Sequence, residues 1–249
     1  MPDQTVFHKM DCRGTNYYIN AKKPFEASRV LRWETVQVAF DFAYNMTFGN
    51  RGEHRDHRSG GSYARKPGEI FKDTFQGKLA ECALYNELYT RHKITLPSFD
   101  VWALGQWDLD DFLIDQERAS VKSTKAFGNL LMLETKDFDA NGVYLPNAER
   151  GGGQYDYYVL VRMEPFCEDI MRKNRLLYSV AADYNALKDI IISQQWKYDV
   201  PGYITKNDIK AIIKNGFVIP KGAMLNGRVR IDADNYYVQA GDLRPIDTL

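Results

Sequence analysis

The sequence predicts an α/β protein with a mixed central β-sheet flanked by helices. Three segments lead to this class: an amphipathic helical pattern at residues 69–89, a β-hairpin pattern at residues 112–124, and a strand-like run at residues 155–163. The chain has 249 residues, 44% of them hydrophobic and 13% aromatic, which is enough to bury a substantial core. We therefore expect a single domain spanning residues 1–249.

The first elements are expected to be one short strand and one helix. Residues 15–20 (TNYYIN) resemble a strand, and residues 27–48 carry apolar side chains at near-helical spacing. Residues 45–67 contain four glycines and read as a long loop. Loops of this length in compact domains are usually functional or disordered.

The helix expected at residues 69–89 carries a candidate site residue. Its apolar side chains fall mostly on one face, and they include Ile70, Phe71, Phe75, Leu79, Cys82, Ala83 and Leu88. Glu81 lies within this apolar context. Because an unpaired buried carboxylate is costly, Glu81 is expected either at the edge of the core or facing a site.

The hairpin is the most informative segment of the chain. Phe112 to Ile114 is a short apolar run, Asp115 to Glu117 resembles a turn, and Arg118 to Thr124 alternates as a half-buried strand does. A period of two directs Ala119, Val121 and Ser123 to one face, and Ser120, Lys122 and Thr124 to the other. Lys122 is therefore expected to project beside the acids that precede the hairpin, Asp110 and Asp111.

The C-terminal half is expected to add one strand, several helices and a β-rich tail. The strand covers residues 155–163, and helices follow near residues 168–177 and 182–195. Thr205 is a candidate N-cap, with Asp208 at the capping-box position and Gly216 as the stop signal. The cysteines Cys12, Cys82 and Cys167 are odd in number and widely spaced, which predicts free thiols.

The formal net charge is zero, but the charge is segregated along the chain. Residues 51–68 carry five Lys or Arg and two acids, and residues 197–230 carry seven Lys or Arg and two acids. Residues 99–117 carry six acids and no Lys or Arg. An acidic cluster between basic segments suits a protein that binds an anionic polymer and holds a metal ion at one point along it.

At the hairpin the sequence resembles the PD-(D/E)XK nuclease superfamily, and type II restriction endonucleases within it. The residues that carry the resemblance are Asp111-Phe-Leu-Ile114, then Ser120-Val-Lys-Ser-Thr124, preceded by the helix segment Gln76-Gly-Lys-Leu-Ala-Glu81. It covers about residues 69–163. The resemblance implies a restriction-endonuclease-like core, here about residues 69–195, in a bacterial or archaeal protein of the cytoplasm. No apolar run approaches the ~20 residues of a membrane helix, and no membrane partner is expected.

The resemblance also implies roles for individual residues around a Mg²⁺ ion. Asp111 would be the shared metal ligand, Lys122 the catalytic lysine, Glu81 an accessory acid, and Val121 would offer its backbone carbonyl to the metal. Ser120 occupies the catalytic position where the family has Asp or Glu, so another carboxylate is expected to replace it. The candidates are Glu81, Asp110 and Glu134, in that order.

DNA contacts are expected from the basic loop at residues 49–68, from the end of the hairpin and from residues 197–249. The candidate residues are Arg51, Arg55, His57, Arg58, Arg65, Lys66, Lys125, Lys206 and Lys210. Cutting both strands of a palindromic target favours a homodimer. A cognate DNA methyltransferase would be the functional partner of such an enzyme.

These observations predict Mg²⁺-dependent, site-specific hydrolysis of double-stranded DNA. One alternative is a DNA-binding protein on a catalytically degenerate nuclease core, motivated by Ser120. The other is a carboxylate-pair glycoside hydrolase that uses acids of residues 100–117, with Trp102 and Trp107 stacking on sugars. A nuclease would lose activity in EDTA or on substitution of Lys122, whereas a glycoside hydrolase would tolerate both.

Overall fold

The computed structural model describes residues 5–49, 65–99, 112–148 and 153–249. The helices are α1 (Trp33–Thr47), α2 (Pro67–Leu88), α3 (Leu145–Ala148), α4 (Cys167–Lys173), α5 (Tyr184–Ile192) and α6 (Lys206–Lys214). The strands are β1 (Asp11–Arg13), β2 (Asn16–Tyr18), β3 (Arg29–Val30), β4 (Phe112–Ile114), β5 (Glu117–Lys125), β6 (Leu130–Glu134), β7 (Tyr157–Glu164), β8 (Lys197–Thr205), β9 (Val218–Ile219), β10 (Met224–Leu225), β11 (Val229–Arg230) and β12 (Asn235–Gln239). The predicted α/β class is confirmed.

A five-stranded mixed sheet forms the centre of the molecule, with strand order β3-β8-β7-β5-β4. β5 runs parallel to β7, and the other neighbouring strands are antiparallel. The predicted hairpin is present as β4 and β5, with Phe112 opposite Ala119. The predicted long helix is present as α2, which begins at Pro67, a residue whose fixed φ suits the first helical turn.

Two apolar cores lie on opposite faces of this sheet. The first core packs α1, α2, α4 and α5 against side chains such as Ala119, Val159 and Val161. The second core packs the three-stranded sheet β6-β12-β9 and α6 against Tyr158, Leu160 and other side chains of the opposite face. The central sheet is therefore buried on both faces, and its residues alternate between the two cores.

β8 extends the central sheet beyond the core of residues 69–195 that the sequence suggests. It pairs with β7 on one side and β3 on the other, and its residues from Tyr198 to Ile204 are buried. Gly202 is required here because a Cβ atom would lie 2.2 Å from the carbonyl oxygen of Arg244. Part of the segment expected to contribute to DNA recognition, residues 197–249, is thus a strand of the central sheet.

The α6 boundary follows the predicted capping signals. Thr205 is the N-cap, its side chain accepts a hydrogen bond from the Asp208 backbone, and the Asp208 carboxylate accepts from the Thr205 backbone. Gly216 follows the helix in the left-handed conformation, with φ +65°. Arg244 then holds α6 to the C-terminal segment through two hydrogen bonds to Asp208, of 2.8 and 2.9 Å.

The cysteines are free thiols, as predicted. Cys82 and Cys167 are buried in the first core, whereas Cys12 is exposed. Burial raises the pKa of Cys82 to about 12 and also raises the pKa of Cys167. Both buried thiols therefore stay protonated at neutral pH and act as packing residues.

Candidate active site on strand β5

The alternation of β5 decides which side chains share a site. Lys122 is the register partner of Leu160 on β7, whereas Val121 is the partner of Val159. Leu160 belongs to the second core and Val159 to the first. Lys122 therefore points towards the β6-β12-β9 side of the sheet, and the hairpin faces are those that the period of two predicts.

Two carboxylates act on Lys122 from the second core's side. Burial lowers the pKa of Lys122, while the nearby negative charges of Asp137 and Glu134 act in the opposite direction, and the pKa remains below its ordinary value. Lys122 makes no hydrogen bond or ion pair with any residue that the structure describes. A half-buried amine whose pKa is lowered, and which forms no ion pair within the described chain, is available to bind a further group.

Glu134 and Asp137 are positioned by the end of β6 and the turn that follows it. Glu134 is the last residue of β6 and lies opposite Asn235 on β12. Asp137 ends the short 3₁₀ turn Thr135–Asp137. The next residue, Phe138, is buried and packs against the rings of Tyr144 and Tyr158, which anchors the turn in the second core.

Glu134 therefore reaches the neighbourhood of Lys122, as its candidacy to replace the missing acid requires. Its carboxylate also forms a 2.8 Å ion pair with Lys136, a more exposed residue. Asp137 is not among the candidates that the sequence indicates. The signal that could have found it is its position three residues after Glu134, where one tight turn brings both carboxylates to the same side.

Ser120 shares the Lys122 face of β5 and is buried, with 8% of its surface exposed. Its hydroxyl supplies no negative charge, so the carboxylates facing Lys122 come from Glu134 and Asp137 instead. Asp110 and Asp111 lie outside the described residues, and the role expected of Asp111 stays a prediction. Val121 points its side chain towards the first core, and its proposed carbonyl contact likewise stays a prediction.

Glu81 lies on the other side of the central sheet from Lys122. Helix α2 packs in the first core, and Glu81 pairs there with Lys78 at 2.8 Å. The Lys78 ammonium also lies 5.3 Å from the centre of the Phe42 ring on α1. The sequence suggested that Glu81 and Lys122 converge, but the fold directs them to opposite faces of the sheet.

The candidate DNA contacts divide into three groups. Arg51, Arg55, His57 and Arg58 lie outside the described residues. Three others are engaged within the chain: Arg65 with Asp73 at 3.0 Å, Lys125 with Asp169 at 2.9 Å, and Lys206 with Asp156 at 2.5 Å. Lys66, at the start of α2, and Lys210, on α6, are exposed.

The described side chains can also be compared with the ligand groups that metal ions require. In the part of the chain that the structure describes, no group of three or more His, Cys, Asp or Glu side chains is arranged to hold a metal ion. Among the same residues, no helix is both long and apolar enough to cross a bilayer.

The chain matches no protein-family model, no curated protein and no solved structure.

Proposed function

We propose that the protein is a Mg²⁺-dependent endonuclease that hydrolyses phosphodiester bonds of double-stranded DNA, with a restriction-endonuclease-like core. The observation that carries this proposal is the environment of Lys122. It is a half-buried lysine on an inner strand of a mixed sheet, it forms no ion pair with the described residues, and the negative charges of Asp137 and Glu134 act on it. The order of α2, the β4–β5 hairpin and β7 also agrees with the resemblance of the sequence to the PD-(D/E)XK nucleases.

Lys122 would orient the attacking water and offset negative charge that develops on the phosphate. Because its pKa is lowered, its amine gives up a proton more readily than an exposed lysine does. The side chain of Lys122 is half-buried, and the reduced access of water strengthens a hydrogen bond or charge contact from Nζ. In this reaction water adds to phosphorus, one P–O bond breaks, and the leaving oxygen takes up a proton.

The donor set fits Mg²⁺ in its chemistry. Glu134 and Asp137 offer hard carboxylate oxygens, and Mg²⁺ typically takes only one or two carboxylates from a protein and keeps several waters. Asp111 is the further ligand that the resemblance implies. When bound, Mg²⁺ would polarise the phosphate and lower the pKa of a water molecule.

Double-strand cleavage at a palindromic site would follow from a homodimer with two such sites. A DNA methyltransferase of the same specificity would protect the host in a restriction system. The second copy of the chain and the methyltransferase are both part of this proposal, and each can be tested once cleavage is shown.

The experiment is digestion of phage and plasmid DNA by the purified protein, with Mg²⁺ or with EDTA. Lys122→Ala is compared with the matched control Lys173→Ala, which removes an exposed lysine at the end of α4. Discrete fragments that require both Mg²⁺ and Lys122, and that persist in the control, would support the proposal.

Intact unmethylated and methylated DNA at all metal concentrations, with DNA binding retained, would overturn the enzymatic proposal. It would favour the degenerate DNA-binding protein that Ser120 suggests. Fragments of equal yield from the wild type and Lys122→Ala would also contradict the assigned role of Lys122.

A further inference from the structure

A small four-stranded sheet joins the N-terminal segment to the C-terminal third of the chain, with strand order β1-β2-β10-β11. Its pairing places Arg13 opposite Asn16, Asn16 beside Met224, and Met224 opposite Arg230. Laterally paired residues project from the same face of a sheet. One face of this sheet therefore carries an arginine on each of its two edge strands.

The neighbouring row of side chains identifies which face is turned outwards. Cys12, Tyr17, Leu225 and Val229 form that row and project from the opposite face. Tyr17 and Leu225, on the two inner strands, pack against the second core. Arg13 and Arg230 consequently lie on the face directed away from the core, and both are exposed.

Some of the described lysines and arginines are held in ion pairs within the chain, for example Arg65, Lys125, Arg162, Lys206 and Arg244. Arg13, Arg230 and the adjacent turn residue Arg228 form no ion pair with the residues that the structure describes.

Two carboxylates lie close to these arginines in sequence. Asp11 is the register partner of Tyr18, so it projects from the same outer face, where it accepts a hydrogen bond of 2.9 Å from the Asn20 amide. Asp232 follows β11 and is exposed. The guanidinium of Arg13 lies 5.5 Å from the centre of the Tyr18 ring, which restrains it on the outer face.

We propose that this outer face, defined by Arg13, Tyr18 and Arg230 and adjoined by the exposed turn residue Arg228, binds the phosphate backbone of duplex DNA. Four strands at about 4.8 Å spacing separate the edge strands by about 14 Å, close to the ~12 Å width of the major groove. Arg13 and Arg230 therefore have a separation that suits phosphates on the two sides of a groove. The choice of DNA rests on the proposed function, and the surface positions the duplex without taking part in the chemistry.

The test measures binding of the full-length chain to a fluorescent random-sequence duplex in EDTA, as a function of salt. Reversal of both edge arginines (R13E/R230E) is expected to raise the Kd at least tenfold. It should also reduce the slope of log K against log salt by about 2, because two phosphate contacts are lost. The conservative double variant R13K/R230K should bind within about threefold of the wild type, which separates charge loss from misfolding.

A charge-matched control reverses two lysines on the other side of the central sheet, K173E/K188E, and should leave the Kd within about twofold. Binding of R13E/R230E with an unchanged Kd and salt slope would overturn the inference, as would failure of the wild-type chain to bind duplex DNA. Failure of the nuclease proposal gives a different pattern: the wild type would not cut with Mg²⁺, yet R13E/R230E would still lose binding.

Discussion

The guanidinium of Arg162 is completely buried and forms two hydrogen bonds with the carboxylate of Asp199, at 2.9 and 2.5 Å. Arg162 lies on β7 and Asp199 on the neighbouring strand β8, where the register of the ladder shifts. The same guanidinium donates to the backbone carbonyls of Lys23 and Pro24, each at 2.7 Å. This pair therefore fastens the N-terminal segment to the central sheet.

Replacement of Asp199 by Ala should destabilise the fold strongly. It would leave a buried, unpaired guanidinium, and breaking a buried charge pair costs about 3–5 kcal/mol. Urea denaturation at pH 7 measures the change in the free energy of unfolding. Asp189→Ala, at an exposed position on α5, should change it by less than about 0.5 kcal/mol. A loss below about 1 kcal/mol for Asp199→Ala would contradict this interpretation.

Lys122→Met should abolish the proposed cleavage of DNA and make the protein more stable at neutral pH. Removal of a desolvated charge is expected to add about 0.5–2 kcal/mol to the free energy of unfolding. The folded-state pKa of Lys122 lies below its ordinary value of 10.5. Wild-type stability therefore rises as the pH climbs from that lowered value to 10.5, because the unfolded chain holds the proton longer.

Denaturation at a series of pH values should show the stability difference between Lys122→Met and wild type shrinking as the pH approaches 10.5. A variant that is both less stable and inactive would indicate that Lys122 has a structural role instead. A gap that is constant over the whole pH range would show that the pKa of Lys122 is not lowered.

Glu134→Gln and Asp137→Asn should each reduce the proposed Mg²⁺-dependent cleavage by about 10–100-fold. Each substitution removes one of the two charges that face Lys122, and each should raise the Mg²⁺ concentration needed for half-maximal rate. Initial cleavage rates over a Mg²⁺ titration provide the measurement, with Asp189→Asn as the control. Equal Mg²⁺ dependence in wild type and both variants would exclude these two carboxylates from the metal site.

Asp208→Asn should destabilise the protein at pH 7 and have little effect in acid. Burial alone would raise the pKa of Asp208, but hydrogen bonds from Arg244 and Thr205 outweigh it and hold the pKa below 3.8. The stabilisation is present above pH 3.8 and is lost as the pH falls through the lowered value. The expected loss at pH 7 is about 1–3 kcal/mol, measured by denaturant titration at pH 7 and below pH 3. A difference that persists unchanged in acid would contradict the ionic origin.

The elements that could be predicted from the sequence are those specified by nearby residues. The β4–β5 hairpin, α2 and α6 follow from alternation, helical periodicity and capping, which act over a few positions. The β6–β12 pairing joins Leu130 to Gln239 across more than a hundred residues, and no local pattern specifies it. The local sequence does not predict β8 as a strand, because Pro201 and Gly202 interrupt it.

Some residues of the candidate site could likewise be predicted from local sequence, and others could not. The direction of Lys122 follows from the period of two, and Glu134 could be named because it closes an apolar strand. The proximity of Asp137 depends on a turn held by Phe138, and the position of Glu81 depends on which face of the sheet α2 covers. Both are set by tertiary packing, which the short motif at the hairpin does not contain.

Because β5 alternates between the two cores, the position of a residue along the strand decides which core its side chain faces. Ala119 packs in the first core and Lys122 points to the opposite face, because one has an odd and the other an even position along the strand. Insertion of one residue in the turn at Asp115–Gln116, with the register of β5 re-set, would exchange the faces and direct the ammonium into the helical core. The length of this turn is therefore under the same constraint as the lysine itself, even though none of its residues belongs to the site.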